Sequence, residues 1–566
     1  MHSIRDLILA AALAAALGLT ACGGGGSASG SSGATSNGTV NVAVTDAPTR
    51  DFDHVWVTVQ EIRFHTSNAV AANDPGWLNF PLPAAVTVDL AALDNGAMNP
   101  LFANLSLPQG TYQQIRLVLV SDTQPLANSA VQAGLIYNDQ VNYTDAGGTS
   151  RVAPLEIAAP AAGIGLNGTF SVSSTAPLNL AIDFDIGHDV VPFLHNGNAA
   201  FTLKPRLQYF DLAQSGAVNG QVDLTNICAP TASGTPANCA FNLVIKAEQP
   251  SADGTYHAAT RFTTIRPDGT FTLYPIRVPA GQTATTIDVL LRGRNMDTIL
   301  VRGVPVTAGS TPTSNPTLLS AQPLPTIIDT EYTAQAAAPL SPTGSWLNFY
   351  QTLSATGQAE LPYEVRYRHV NPFTGVFTDP IPLSSGPIQV GSYVAAGTPT
   401  LLPNTPLPGA IPNATPAKGS FQVVAGAPDY ARTPYLTALT PNAPTFSIAQ
   451  LAVNPAVGVA DTISGTIGQS TANQYDSGYL VVVRMGVIVQ TMPLATVLAQ
   501  NGGMGGAYSL GNLPGGSSTQ SLPGAYYYLY ARVWNSANPL TTLKRIDFSG
   551  YADLRAGSAT GINATL

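Results

Sequence analysis

The chain has 566 residues, 45% hydrophobic and only 10% charged, against about 25% charged in an average globular protein. A net charge of −9 with only four lysines and no basic run excludes a nucleic-acid partner, which needs a cationic stripe to displace counterions. The 53 glycines and 45 prolines stay below a disordered composition, the length suggests three or four domains at roughly 150 residues each, and so few charges argue against long solvent-facing helices.

Residues 1–21 read as an export signal: Arg5 precedes an apolar run, Leu7 to Leu19, too short to span a bilayer comfortably. The run ends in Leu19-Thr20-Ala21-Cys22, and residues 22–38 form a Gly/Ser tether. The four residues resemble the bacterial lipobox, the alternative being an ordinary secretory signal with a chance cysteine. The resemblance implies that Cys22 is lipidated, that residues 1–21 are removed and that the membrane is a partner through the lipid. Gly23, where an Asp would retain the protein in the inner membrane, points to the outer membrane, with its periplasmic or cell-surface face open.

After the tether the dominant pattern is alternation with period two, the mark of half-buried strands. Val40, Val42 and Val44 alternate with polar or small residues, as do Val55, Val57 and Val59, then Ile115, Leu117 and Leu119, then Leu178, Leu180, Ile182 and Phe184. Asp94-Asn95-Gly96 and Pro108-Gln109-Gly110 supply turns. The fold class is all-β, with tandem β-sandwich domains at 39–213, 214–309 and 456–566, a Ser/Thr/Pro linker at 310–329 and a Pro-rich β region at 330–455. Cys228 and Cys239 are expected to form one short disulfide loop in an oxidising compartment, two cysteines without nearby histidines being a poor zinc set.

A weak repeat connects the modules. One has Gly216-Ala217-Val218, then Asp268-Gly269-Thr270-Phe271-Thr272-Leu273 and Pro279-Ala280-Gly281; the last has Ile463-Ser464-Gly465-Thr466-Ile467, then Gly506-Ala507-Tyr508-Ser509-Leu510 and Pro514-Gly515. Between them the chain offers only Gly419-Ser420-Phe421-Gln422-Val423. The aromatic residue after each tight turn is expected to enter the core. These two modules resemble the carboxypeptidase-regulatory, transthyretin-like sandwich, which implies an accessory module with an open ligand. The first domain resembles a bacterial lipoprotein domain of unknown function, number 4382. The elements that carry it are Val44-Thr45-Asp46-Ala47-Pro48, Val55-Trp56-Val57, Val88-Asp89-Leu90, Leu107-Pro108-Gln109-Gly110-Thr111-Tyr112 and Ile182-Asp183-Phe184-Asp185. That family brings no activity with it.

Gly-x-Ser-x-Gly, His-Glu-x-x-His and Walker A motifs are absent, and no catalytic residue is assigned. Asp183 and Asp185 project from the polar side of their strand, with His188 and Asp189 next, and Asp46, Asp51 and Asp53 flank the Ala47-Pro48 turn. Asp46, Asp183 and Asp185 are a candidate calcium site, calcium wanting six to eight oxygens. The competing readings are structural aspartates at turns and strand ends and a glycosidase pair. In Tyr526-Tyr527-Tyr528, Tyr527 faces away from its neighbours and is a candidate ring for stacking on a glycan, the alternative being a strand with tyrosines in the core on both faces. The expectation is a lipid-anchored, non-catalytic envelope protein that binds or scaffolds an envelope protein or polysaccharide, requiring no cofactor, with calcium as a candidate. The alternatives are an enzyme acting on an envelope or extracellular polymer and a calcium-stabilised carbohydrate-binding protein.

Overall fold

A computed structural model describes residues 36–566 apart from 48–50, 69, 122–123, 146, 196–197, 206, 223–243, 252, 293–297, 313–319, 322–330, 353, 356–357, 360, 383–387, 396–398, 405–420, 436–438, 440–441, 518–521 and 523–524. The export signal, the lipidation candidate Cys22 and the cysteines Cys228 and Cys239 lie outside the described residues. No helix among the described residues is long and apolar enough to cross a membrane.

The alternating runs are strands, as the sequence predicts. Val40, Val42 and Val44, together with Val55, Val57 and Val59, are buried in the core of a first sandwich. Its smaller sheet centres on Asn37–Asp46, antiparallel to Asn99–Pro108 and parallel to Leu178–Phe184, with Gln208–Asp211 outermost. Its larger, eight-stranded sheet is organised by the long strand His54–His65. One edge of that strand carries Leu78–Asp89; the other carries Gln140–Thr144 near its start and Gly110–Leu119 near its end.

Three further modules repeat one plan. In each, a central strand pairs antiparallel with one neighbour and parallel with a short one: Ser215–Val222 with Thr270–Arg277 and Ser320–Ala321; Glu331–Ala336 with Thr378–Pro382 and Thr445–Phe446; Val459–Gly468 with Gly505–Gly515 and Ala564–Thr565. The motif aromatics Phe271 and Tyr508 are buried in their cores. The middle module departs from its expected motif: Gln422–Gly426 lies in the opposite sheet, with Phe421 bridged to Leu439 just before it, and the counterpart of the repeat strand is Thr378–Pro382.

The second and third modules are not separate along the chain. One nine-stranded sheet runs through both, joined where His257 meets Tyr363, and Ile388–Ser392 adds itself parallel to Ile299–Thr307 of the second module. The strands Ile388–Ser392 and Leu402–Asn404, counted by sequence with the third region, thus extend the second module's sheet. The fourth module closes back on the first. Val481, Val483, Ile488 and Tyr530 pack with Ala72, Ala158, Ala159 and Ala162, and with Phe373 of the third. Asn37–Leu566 is one compact unit.

Candidate functional site

The structure brings the three aspartates together, in an interior rather than on a polar surface. Asp46 is 0% exposed, and Asp183 and Asp185 are buried too. The alternation is right about which side of the strand they leave, but that side is covered by the second module, whose Arg261 (2% exposed) reaches in. Its guanidinium pairs with the Asp183 carboxylate and donates to Thr45 Oγ1 (3.1 Å) and to the Asp46 carbonyl (2.6 Å). Asp46 Oδ1 accepts the Ile186 N–H (3.0 Å), while Oδ2 is buried without a hydrogen-bond partner among the described residues. Asp185 caps the next turn, accepting the His188 N–H (3.1 Å) and facing His188 Nδ1 at 2.6 Å.

Burial is the main cause that pushes the Asp183 carboxyl up to about 6, with Arg261 opposing it. Burial, reinforced by Asp183 and Asp185, raises Asp46 well above the ordinary carboxylate range. The calcium expectation is corrected accordingly: the cation among these carboxylates is Arg261, and among the described residues no group of three or more His, Cys, Asp or Glu side chains is disposed to hold a metal ion. The cluster seals the first module to the second. The Asp94-Asn95-Gly96 turn does the same work beside it: Asn95 accepts the Thr272 N–H through Oδ1 (3.0 Å) and donates its own N–H to Thr263 Oγ1 (3.2 Å).

Tyr527 is corrected as well. It is 0% exposed and its hydroxyl donates to the Pro514 carbonyl at 2.5 Å, so it offers no ring to a sugar. The strand Tyr526–Trp534 is buried on both faces: Tyr527, Leu529 and Ala531 face the fourth module's core, and Tyr530 faces the seam with the first.

The concave feature that sequence reasoning missed is a cleft of about 1050 Å³ between the first and fourth modules. It forms where the strand His54–His65 slips register against both neighbours, between Val59 and Glu61. At that point Leu82–Ala85 leave the ladder opposite Gln60, whose side-chain amide donates to the Leu119 carbonyl (3.1 Å). A bulge of this kind bends a strand and re-aims its side chains. Pro81 and Pro83, which cannot donate to a ladder, are the sequence signal for it. The fourth module supplies the opposite wall through Arg532, Arg545 and Asp547.

Every carboxylate of the cleft is engaged by an arginine. Arg63 binds Glu61 (2.9 Å), Arg532 binds Glu156 across the seam, and Arg545 binds Asp547 (2.8 Å). Arg545 also donates to the carbonyls of Ile157 (3.0 Å) and Ala158 (2.7 Å), with its guanidinium 3.9 Å over the Tyr530 ring. Charge-assisted pairs of this kind fix walls.

Residues 37–205 match the family described as domain of unknown function DUF4382, a match that lies within the first module and covers less than half of the chain. No protein of curated function matches the chain. Among solved structures it is similar to the Bacillus anthracis TIE protein (8% identity, covering 91% of this chain and 68% of that one, TM-score 0.13). It is also similar to the streptococcal ancillary pilin (10%, 62% and 98%, 0.13) and the full-length major pilin of Streptococcus pneumoniae (9%, 93% and 99%, 0.11). At these identities and TM-scores the likenesses carry nothing about function.

Proposed function

We propose that this is a non-catalytic binding or scaffolding protein of the cell envelope, lipid-anchored at Cys22 in the outer membrane, and that its partner occupies the cleft between the first and fourth modules. The observation that carries this reading is the cleft itself: roomy enough for a chain segment, built by two modules held in fixed relation, with its carboxylates engaged by arginines. Pockets of several hundred Å³ are the usual place for ligands. The low charge of the chain, the absent catalytic motifs and the closed packing of the sandwiches support the same reading.

The test is site-specific photo-cross-linking in living cells, with the photoreactive residue at Ala84, exposed on the cleft wall, and at Val376, exposed on the third module. A discrete adduct from position 84 and none from position 376 is expected. Equal adducts from both, or none from position 84, would overturn the cleft as the binding site. Protease shaving of intact against lysed cells then tells whether the partner is external or periplasmic.

A further inference from the structure

The connection that leads from the strand Gly110–Leu119 to the strand Gln140–Thr144 carries an apolar surface beside the cleft. Leu126, Val131 and Ile136 are 38, 57 and 62% exposed, three large apolar side chains within eleven residues. The stretch Gln124–Asn138 holds no charged residue. It is not loosely hung. Asn138 donates its side-chain amide to the carbonyls of Ser121 (3.1 Å), Gln124 (3.3 Å) and Pro125 (3.2 Å), and its Oδ1 accepts the Ala127 N–H (2.9 Å). The short helix Asn128–Gln132 is fastened to the cleft wall, Ser129 donating to the Ala85 carbonyl (2.8 Å) and sharing a hydrogen bond with Thr87 (2.8 Å). Ser121 and Gln124 line the cleft themselves.

Apolar side chains held rigid in water are unfavourable unless something covers them. We propose that Leu126, Val131 and Ile136 form the docking rim for an uncharged, apolar segment of a protein partner, which continues from the rim into the cleft. The proposal rests on the reading of the cleft as a binding site and names what binds there. Charge supports it: the rim is uncharged and each cleft carboxylate is matched by its own arginine, so a charged segment would find no complement.

The test selects a phage-displayed random peptide library on the immobilised full chain and titrates the enriched peptides against three variants. Val131→Asp and Ile136→Asp change exposed side chains, and Ala84→Trp sets a bulky ring on the cleft wall. Peptides poor in charged residues are expected, bound roughly tenfold or more weakly by each Asp variant and lost in Ala84→Trp. Peptides lost in Ala84→Trp but indifferent to both Asp variants would overturn the rim and leave the cleft standing. Indifference to all three would remove both. Sedimentation of the chain carrying Cys22→Ser with phosphatidylethanolamine–phosphatidylglycerol vesicles, abolished by Val131→Asp, would overturn the proposal in favour of the bilayer.

Discussion

Replacing Arg261 by Met keeps the apolar stem and removes the guanidinium that ties the second module to the first. Three contacts go with it: the Asp183 carboxylate, Thr45 Oγ1 and the Asp46 carbonyl. Removing one partner of a buried ion pair costs about 3–5 kcal/mol, chiefly because the other charge is left buried and alone. Here the loss falls at the lower end, about 3 kcal/mol, because Asp183 already stands at about 6 beside the arginine and without it takes up a proton near neutral pH. Urea unfolding of the full chain near neutral pH measures this, with Asp183→Asn and the double variant completing a cycle. The double variant is expected to recover at least half of the loss, since neither side then buries a charge. A loss in Arg261→Met below about 1 kcal/mol, or a double variant no better than the single one, would refute the view that this pair seals the seam.

The same aspartates give an unusual pH dependence. A carboxyl whose folded pKa stands above its unfolded value binds its proton more tightly in the fold, so its contribution grows as pH falls. For Asp183, lifted from 3.8 to about 6, the gain develops between about pH 7 and pH 4 and is roughly 3 kcal/mol at 1.36 kcal/mol per unit, with Asp46 acting in the same direction. Urea midpoints should therefore rise from pH 7 to pH 5 and flatten in Asp183→Asn; a rise of the same size in that variant would assign it elsewhere. Tyr527→Phe removes one buried hydrogen bond and is expected to cost about 1 kcal/mol, and Tyr527→Ala about 3–5 kcal/mol, read as unfolding midpoints. An unchanged midpoint in Tyr527→Ala would return that ring to the surface. The excised fourth module, residues 456–566, would bare Val481, Val483, Ile488 and Tyr530, and should bind a hydrophobic dye and self-associate with concentration. A dye-inert monomer would contradict the seam.

Period-two alternation was enough to place the core of the first module, because one face of each strand really is apolar: Val40, Val42, Val44, Ile182 and Phe184 are all buried. It misled for Asp183 and Asp185 because a polar face is read as a wet face, and only tertiary packing shows that Arg261 lies over it. Tyr527 failed for the same reason in reverse, its strand being sandwiched between a module core and an inter-module seam. The repeat was legible in the second and fourth modules, where a tight turn precedes an aromatic core residue. In the third the equivalent signal is Gly375-Val376-Phe377, with Phe377 buried in the core just before the strand Thr378–Pro382; sequence reading passed over it for Gly419–Val423, whose Gln422 and Val423 belong to another sheet. The cleft left one trace, Pro81 and Pro83 inside a strand. Its far wall, Arg532 and Arg545, comes from a module more than 400 residues later, a juxtaposition no local pattern encodes.

The central claim is that the first and fourth modules are fixed to one another around the cleft. It is tested most directly by the distance between spin labels carried on unnatural amino acids at Ala103 of the first module and Ala556 of the fourth, both exposed. One narrow distance distribution in the full chain, broadened when Glu156→Arg sets a positive charge against Arg532, is the result expected. A broad distribution in the unaltered chain would contradict the account, for modules that move independently build no lasting cleft.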